Sequence, residues 1–345
     1  RDDVLEYEEL ADLIHEYNAE VINSRLEYDD YRGKSNDDFR NTYSEMADRL
    51  EDSSDRMMDG INEDEPGYGA AEASAMSIRL QAELARDQAD MENEDGRVKK
   101  LEYDRQEALL IQKAQGLMIE YWKKEKERPV LEGTLQQAEA EVQTARRKAA
   151  LGMLSQPELL EAEAAVCTAQ AAEASGKTKQ EELIVMTGWQ YDDLPRLGEI
   201  PIPEEALLEE DPESDRTQAL AANFSLAADR RRLENTDSGT AKDVLNQKVE
   251  AGQQKIEADI EAKYNSLMQA QTDYGQAKEE YRLAEEKLEA DERRYQLGLL
   301  SANDRMAAQA ELSSKKAAWE ISGLSFRQAY EDYQWAVEGL AAYEG

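Results

Sequence analysis

From Ile260 to Tyr295 the chain places a large apolar or aromatic side chain at every seventh position: Ile260, Leu267, Tyr274, Tyr281, Leu288 and Tyr295. Ala270, Ala277 and Ala284 fall between them. Apolar positions at this period mark a helix that meets a partner helix along a narrow seam, and small residues among the large ones let the two approach closely. After a short break the period returns in Leu312, Trp319, Phe326, Tyr333 and Leu340. Matched stripes on either side of a turn predict an antiparallel coiled-coil hairpin.

The turn, Leu297-Gly298-Leu299-Leu300-Ser301, has a double at Leu151-Gly152-Met153-Leu154-Ser155, 146 positions earlier (152 against 298). A helix running into Leu-Gly meets a residue that tolerates positive φ and can end it with its last carbonyls satisfied. The following serine can cap the next helix, and Ser155 with Glu158, like Ser301 with Asp304, has the capping-box spacing. Each pentapeptide therefore reads as a hairpin tip carrying apolar side chains outward. Leu131, Leu135, Ala138, Val142, Ala145 and Ala149 lead into the first tip. Its return helix, from about Pro157 to Met186, has Leu160, Ala165, Val166 and Leu183 as its lining.

The chain is thus a duplication. Asn18 and Arg25 correspond to Asn223 and Arg230 at an offset of 205, so copy one holds an insertion between about Tyr31 and Gly96. Phe39, Tyr43, Met46 and Leu50, then Ala75, Ile78 and Ala85, have helical spacing within it, while copy two has only Thr236-Asp237-Ser238-Gly239 there. Pro129 and Gly275, at the same height in the two copies, predict a kink or break in each incoming helix. Leu183 to Gly188 and Leu340 to Gly345 close the copies alike. The expected organisation is a first hairpin repeat over 1–190 with a helical insertion at about 31–96, a Pro/acidic linker over 191–215 and a second repeat over 216–345. Pro195, Pro201, Pro203 and Pro212 make the linker extended and unpacked, and the repeats are expected to form one elongated domain.

Composition narrows the function. Over 345 residues, 77 acidic against 41 basic side chains give a formal charge of −36. Such a chain repels nucleic-acid phosphates and anionic lipid, while a basic protein partner stays compatible. No stretch approaches the roughly 20 apolar residues of a membrane-spanning helix. Like charge opposes self-association, so a monomer or weak oligomer is the expected state, with a trimer the alternative.

The paired tips at 152 and 298, the Asn18-Ala19-Glu20-Val21 opening and the leucine-to-glycine closures resemble the TolC-like outer-membrane efflux protein family, whose members duplicate a long helical hairpin. The likeness covers nearly the whole chain outside the insertion. It implies an all-α fold of internally duplicated antiparallel coiled-coil hairpins, an extracytoplasmic place with any leader lying ahead of Arg1, and a part in an efflux or secretion assembly. It also implies that Leu151, Gly152, Met153, Leu154, Ser155, Leu297, Gly298, Leu299, Leu300 and Ser301 dock to a membrane-fusion adaptor, and through it to an ABC-type or similar transporter in the inner or cytoplasmic membrane. The family carries two barrel strands per copy. A strand of that kind is about ten residues of alternating character, and none is readable in this sequence. The expected fold is the TolC-like periplasmic helical domain without a β-barrel. A structural coiled-coil spacer with no transport role is the alternative function.

Catalytic and cofactor chemistry is not legible. Ser175-Gly176-Lys177-Thr178 ends like a phosphate-binding loop, but Ala171 stands where the first glycine belongs and no strand precedes it. His15 is the only histidine, so no paired-histidine zinc motif can form. Glu285-Glu286 and Glu289 with Asp291 read as a solvated face. Asn62 to Gly67 departs from calcium-loop spacing. Cys167, the single cysteine, reads as a small packed side chain. The expectation is a non-enzyme without metal or cofactor.

Overall fold

The computed structural model describes residues 4–59, 62, 64, 66–151, 153, 155–174, 177–190, 193, 195–202, 211–237 and 239–343. Among them are eleven α-helices, a π-helical turn at Ala336–Leu340 and two strands of two residues each. The helices are α1 (Leu10–Tyr17), α2 (Ala19–Tyr31), α3 (Asn36–Met58), α4 (Tyr68–Met91), α5 (Gly96–Ala150), α6 (Gln156–Ala174), α7 (Lys177–Met186), α8 (Pro212–Ala222), α9 (Phe224–Asn235), α10 (Gly239–Gln296) and α11 (Ala302–Trp335). Strands β1 (Val4–Leu5) and β2 (Arg196–Leu197) pair in parallel, Val4 opposite Arg196.

The residues group into two compact units. The first comprises Arg1–Ala19, Leu109–Pro212 and Ile260–Trp335. Its core holds Leu10, Ile14, Met118, Leu183, Phe326 and Tyr333, all essentially without solvent exposure. The heptad stripe of copy two works as its spacing requires. Tyr274 stacks on Phe326 at 5.8 Å between ring centroids and Tyr281 on Trp319 at 5.2 Å, each pair seven residues further from the tip on both helices than the next. Ion pairs flank this seam: Glu280–Lys315 at 2.7 Å, Lys287–Glu311 at 2.5 Å and Glu292–Arg305 at 2.7 Å. In copy one, Ala138, Val142 and Ala145 are buried on the incoming helix. On the return helix Val166 and Leu183 face inward as expected, whereas Leu160 and Ala165, also expected as lining, are exposed, and Leu159 and Ala162 turn inward in their place. The helix starts one residue after Ser155, and that start sets the phase which two adjacent leucines leave open.

Two further expectations are corrected. Both α5 and α10 run unbroken through Pro129 and Gly275. Tyr121 to Glu127, just ahead of the proline, are half-buried, so packing carries the helix across its missing hydrogen bond. The proline-rich stretch is extended but packed: Leu5 O accepts the Gly198 N–H at 2.9 Å, Gly198 O accepts the Trp122 indole N–H at 2.8 Å, and Ile200 is buried. Pro203 lies outside the described residues.

The second unit comprises Glu20–Ala108, Glu213–Asp259 and Ala336–Gly345. The insertion at 31–96 is the pair α3 and α4. Ser35 opens α3 with a complete capping box to Asp38. The pair closes on Ala47, Ala82 and Ala85 with Leu50 against them, and Ser54 Oγ donates to Ala75 O at 3.0 Å. Phe39 stacks on Tyr31 at 5.7 Å, whereas Met46, expected on the packed face, is exposed.

Each copy uses one asparagine in the same way. Asn18 separates α1 from α2, and its amide donates to Met186 O at 3.0 Å. Asn223 caps α9 through Leu226 N–H, and its amide donates to Ala341 O at 2.9 Å. These bonds set Met186 against Ala341, two residues from the register implied by aligning Leu183–Gly188 with Leu340–Gly345. Gly345 lies outside the described residues.

Candidate functional site: the hairpin tips

Helix α10 ends as its sequence dictates. Gly298 takes φ 70°, its N–H reaches Tyr295 O at 2.9 Å, and Leu299 N–H reaches Arg294 O at 2.8 Å. This is the paired-bond glycine cap that satisfies carbonyls otherwise left without a partner. Ser301 then starts α11: its Oγ accepts from Asp304 N–H at 3.1 Å and donates to Asp304 Oδ2 at 2.7 Å. At the first tip Met153 N–H reaches Lys148 O at 2.8 Å, the same bond in the same place. Glu158 Oε2 accepts from Ser155 N–H at 2.9 Å and from Ser155 Oγ at 2.6 Å. These two bonds hold the Glu158 carboxyl below its usual range. Gly152 and Leu154 lie outside the described residues.

With the backbone satisfied internally, the side chains are free to face water. Leu151 is 71% exposed, Met153 73%, Leu297 73% and Leu299 72%. A hairpin end that used its leucines to pin the helices would bury them. Leu300 is half-buried, and Ser155 and Ser301 are exposed at their caps.

The tips carry a second feature, which the apolar pattern does not announce. The last turns of α5 and α10 carry Arg147 and Lys148, and Arg293 and Arg294. They are exposed and fall on one another at the duplication offset, so each apolar tip has a basic collar in a chain with nearly twice as many acids as bases. Cations there also complement the negative end of a helix dipole. The offset of 146 that aligned the glycines aligns these pairs too.

The chemistry of this cap yields a sharp contrast. A Cβ on Gly298 would meet nothing within 4 Å, so Gly298→Ala is expected to cost about 1–2 kcal/mol through backbone conformation alone. Gly275, mid-helix and equally unobstructed, is expected to gain roughly 0.5–1 kcal/mol on the same change. Urea unfolding of both variants checks the opposite signs.

Other singled-out residues are not brought together with the tips as a reaction centre. His15 is exposed in the last turn of α1. Cys167, expected to be packed, is exposed, because Val166 takes the seam position beside it. Glu285 accepts from Tyr281 Oη at 2.7 Å, Glu286 from Arg282 at 2.5 Å, and Asp291 pairs with Arg294 at 3.4 Å. Ser175 and Gly176, and part of the loop from Asn62 to Gly67, lie outside the described residues. Among the described residues no cluster of potential metal ligands occurs, and no helix is long and apolar enough to cross a membrane.

Comparison with solved structures defines the fold class. The chain is similar to the CmeC outer membrane channel of Campylobacter jejuni, with TM-score 0.54 and 10% identity over 98% of this chain and 87% of that one. It is similar to a membrane protein from Pseudomonas aeruginosa, at 0.55 and 12% over 96% and 90%. It is also similar to the outer-membrane channel OprN, at 0.51 and 12% over 96% and 90%. No protein-family model matches the chain, and no curated protein matches it in sequence. The chain has the helical fold of the TolC-like outer-membrane channels. Where the resemblance placed barrel strands, the described residues of copy one form the helices α3 and α4, and those of copy two pass through Thr236 and Asp237 into α10.

Proposed function

We propose that this chain is an extracytoplasmic, TolC-like component of an efflux or secretion assembly, and that its two hairpin tips dock to a membrane-fusion adaptor that connects it to a transporter of the inner or cytoplasmic membrane. The observation that carries this reading is the outward display of the same apolar pair at both tips, Leu151 with Met153 and Leu297 with Leu299, on turns whose backbone needs no help from those side chains. Two equivalent apolar knobs, each collared by cations, suit a partner with repeated shallow grooves. The channel fold of the matched structures supports the assembly.

The test is the quadruple variant Leu151→Ser, Met153→Ser, Leu297→Ser and Leu299→Ser. Each exposed change is expected to shift stability by no more than about 0.5 kcal/mol. Capture by the purified hairpin region of a membrane-fusion adaptor that binds the parent chain is expected to fall at least about tenfold, as loss of apolar anchors usually does. Capture equal to that of the parent, with the melting temperature kept, would remove the docking role and leave a structural spacer.

A further inference from the structure

Helix α4 has two faces of opposite fate. Ala75, Ala82, Ala85 and Ala89 are buried on one side. On the other, Met76 is 72% exposed, Leu80 58%, Leu84 55% and Met91 68%. At 100° per residue these four lie within about 40° of one line along the helix, diametrically opposite the alanines. Single exposed apolar side chains are ordinary on a surface, but four on one line over four turns form a continuous stripe.

The charges beside the stripe name what would cover it. Glu83, Glu72 and Asp90 run along one edge, Asp87 sits within it, and the other edge is Ser77, Gln81 and Gln88. Among the described residues none of these four carboxylates has an ion pair or hydrogen-bond partner. The two arginines of α4 are committed elsewhere. Arg79 pairs with Asp55 at 3.0 Å, and Arg86 with Glu51 at 2.5 Å and Asp48 at 3.4 Å, all on α3. A second copy would bring carboxylates against carboxylates, and anionic lipid would do the same. We propose that the outer face of α4 docks a basic amphipathic helix of a partner protein, its leucines against the Met76–Met91 stripe and its lysines or arginines against Glu72, Glu83, Asp87 and Asp90. Two methionines in the stripe give the face an adaptable surface. This contact is separate from the tips.

The probe is a labelled synthetic helix with leucines on one face and lysines and arginines along its edges, titrated onto the full chain by fluorescence anisotropy. Met76→Ser, Leu80→Ser, Leu84→Ser and Met91→Ser together leave the net charge untouched and are expected to weaken binding at least about tenfold. Glu72→Gln, Glu83→Gln, Asp87→Asn and Asp90→Asn are expected to weaken it comparably at low salt and less at high salt. Amide-exchange protection on binding is expected over 72–91, and the tip variant is expected to keep full affinity. Unchanged affinity in the serine variant, or protection elsewhere, would show capture by bulk charge and overturn the proposal. So would self-association of the chain that the serine variant abolishes, or tighter binding to phosphatidylcholine vesicles than to the peptide.

Discussion

Replacing Asp229 by alanine is expected to cost about 3 kcal/mol, the usual loss when one member of a buried charge pair is removed and its partners stay behind. Asp229 is 1% exposed and accepts from Arg232 Nη1 at 2.8 Å, Lys248 Nζ at 2.9 Å and Tyr343 Oη at 2.8 Å. Arg232 also holds Glu94 at 2.8 Å and pairs with Glu102, while its neighbour Arg231 holds the buried Asp95 at 2.6 Å. Asp95 in turn caps α5 through Val98 N–H at 2.9 Å. Removing Asp229 therefore leaves a tyrosine hydroxyl and two cations without their shared acceptor, and thermal melting is expected to fall by roughly 6–12 °C. A fall of less than two degrees would show that this cluster adds nothing to stability.

The same cluster predicts a pH response. Burial pushes the Asp229 and Asp95 carboxyls up, but their donors outweigh it, and both end below the usual carboxylate range. For Asp229 the donors are Lys248, Arg232 and Tyr343; for Asp95 they are Val98 N–H, Arg231 and Asn235. A depressed folded pKa means that the unfolded chain takes up protons first. Their contribution is full above about pH 4, the ordinary carboxylate value, and is lost as pH falls through the depressed one. Relief of the chain's own charge repulsion acts in the opposite direction, so the difference between parent and Asp229→Asn is the informative curve. It is expected to be flat from pH 7 to pH 5 and to shrink below pH 4.

What the sequence made legible, and what it hid, follows from the separation of the interacting residues. Tyr281 and Trp319 could be paired on paper because a two-helix seam has one face and one period, and every seventh residue lies on it. The return helix of copy one hid its register behind Leu159-Leu160, where either leucine satisfies the pattern and the cap at Ser155 decides. Asp95 and Arg231 meet from 136 positions apart with no repeat to announce them, so the ion network of the second unit left no signal. Prolines misled twice, each time by suggesting less order than the structure has: Pro129 sits in an unbroken helix, and the stretch with Pro195 and Pro201 packs through Ile200. At the tips the apolar set was visible because duplication wrote it twice. The collar of Arg147, Lys148, Arg293 and Arg294 was written twice as well, but charges at a helix end draw the eye less than leucines in water.

The closure of copy two sets the last expectation. Gly339 takes φ 126° in the π-helical turn, and a Cβ there would fall 2.6 Å from Ala222 O and 3.1 Å from the Phe224 ring. Gly298 has the positive φ without the obstruction, so the two glycines separate the cost of conformation from that of space. Gly339→Ala is expected to lose about 3 kcal/mol, combining the left-handed backbone penalty with overpacking against a main-chain oxygen that cannot swing aside. Displacing this turn moves Ala341 O away from the buried Asn223 amide, so the loss is expected to couple to that bond. In an Asn223→Ala background the same change is expected to cost at least about 0.5 kcal/mol less, since residues sharing one contact are not additive. Urea unfolding of the four-member cycle measures this. Strict additivity would place the two residues in independent roles, and a Gly339→Ala loss no larger than that of Gly298→Ala would mean that the Ala222 carbonyl yields.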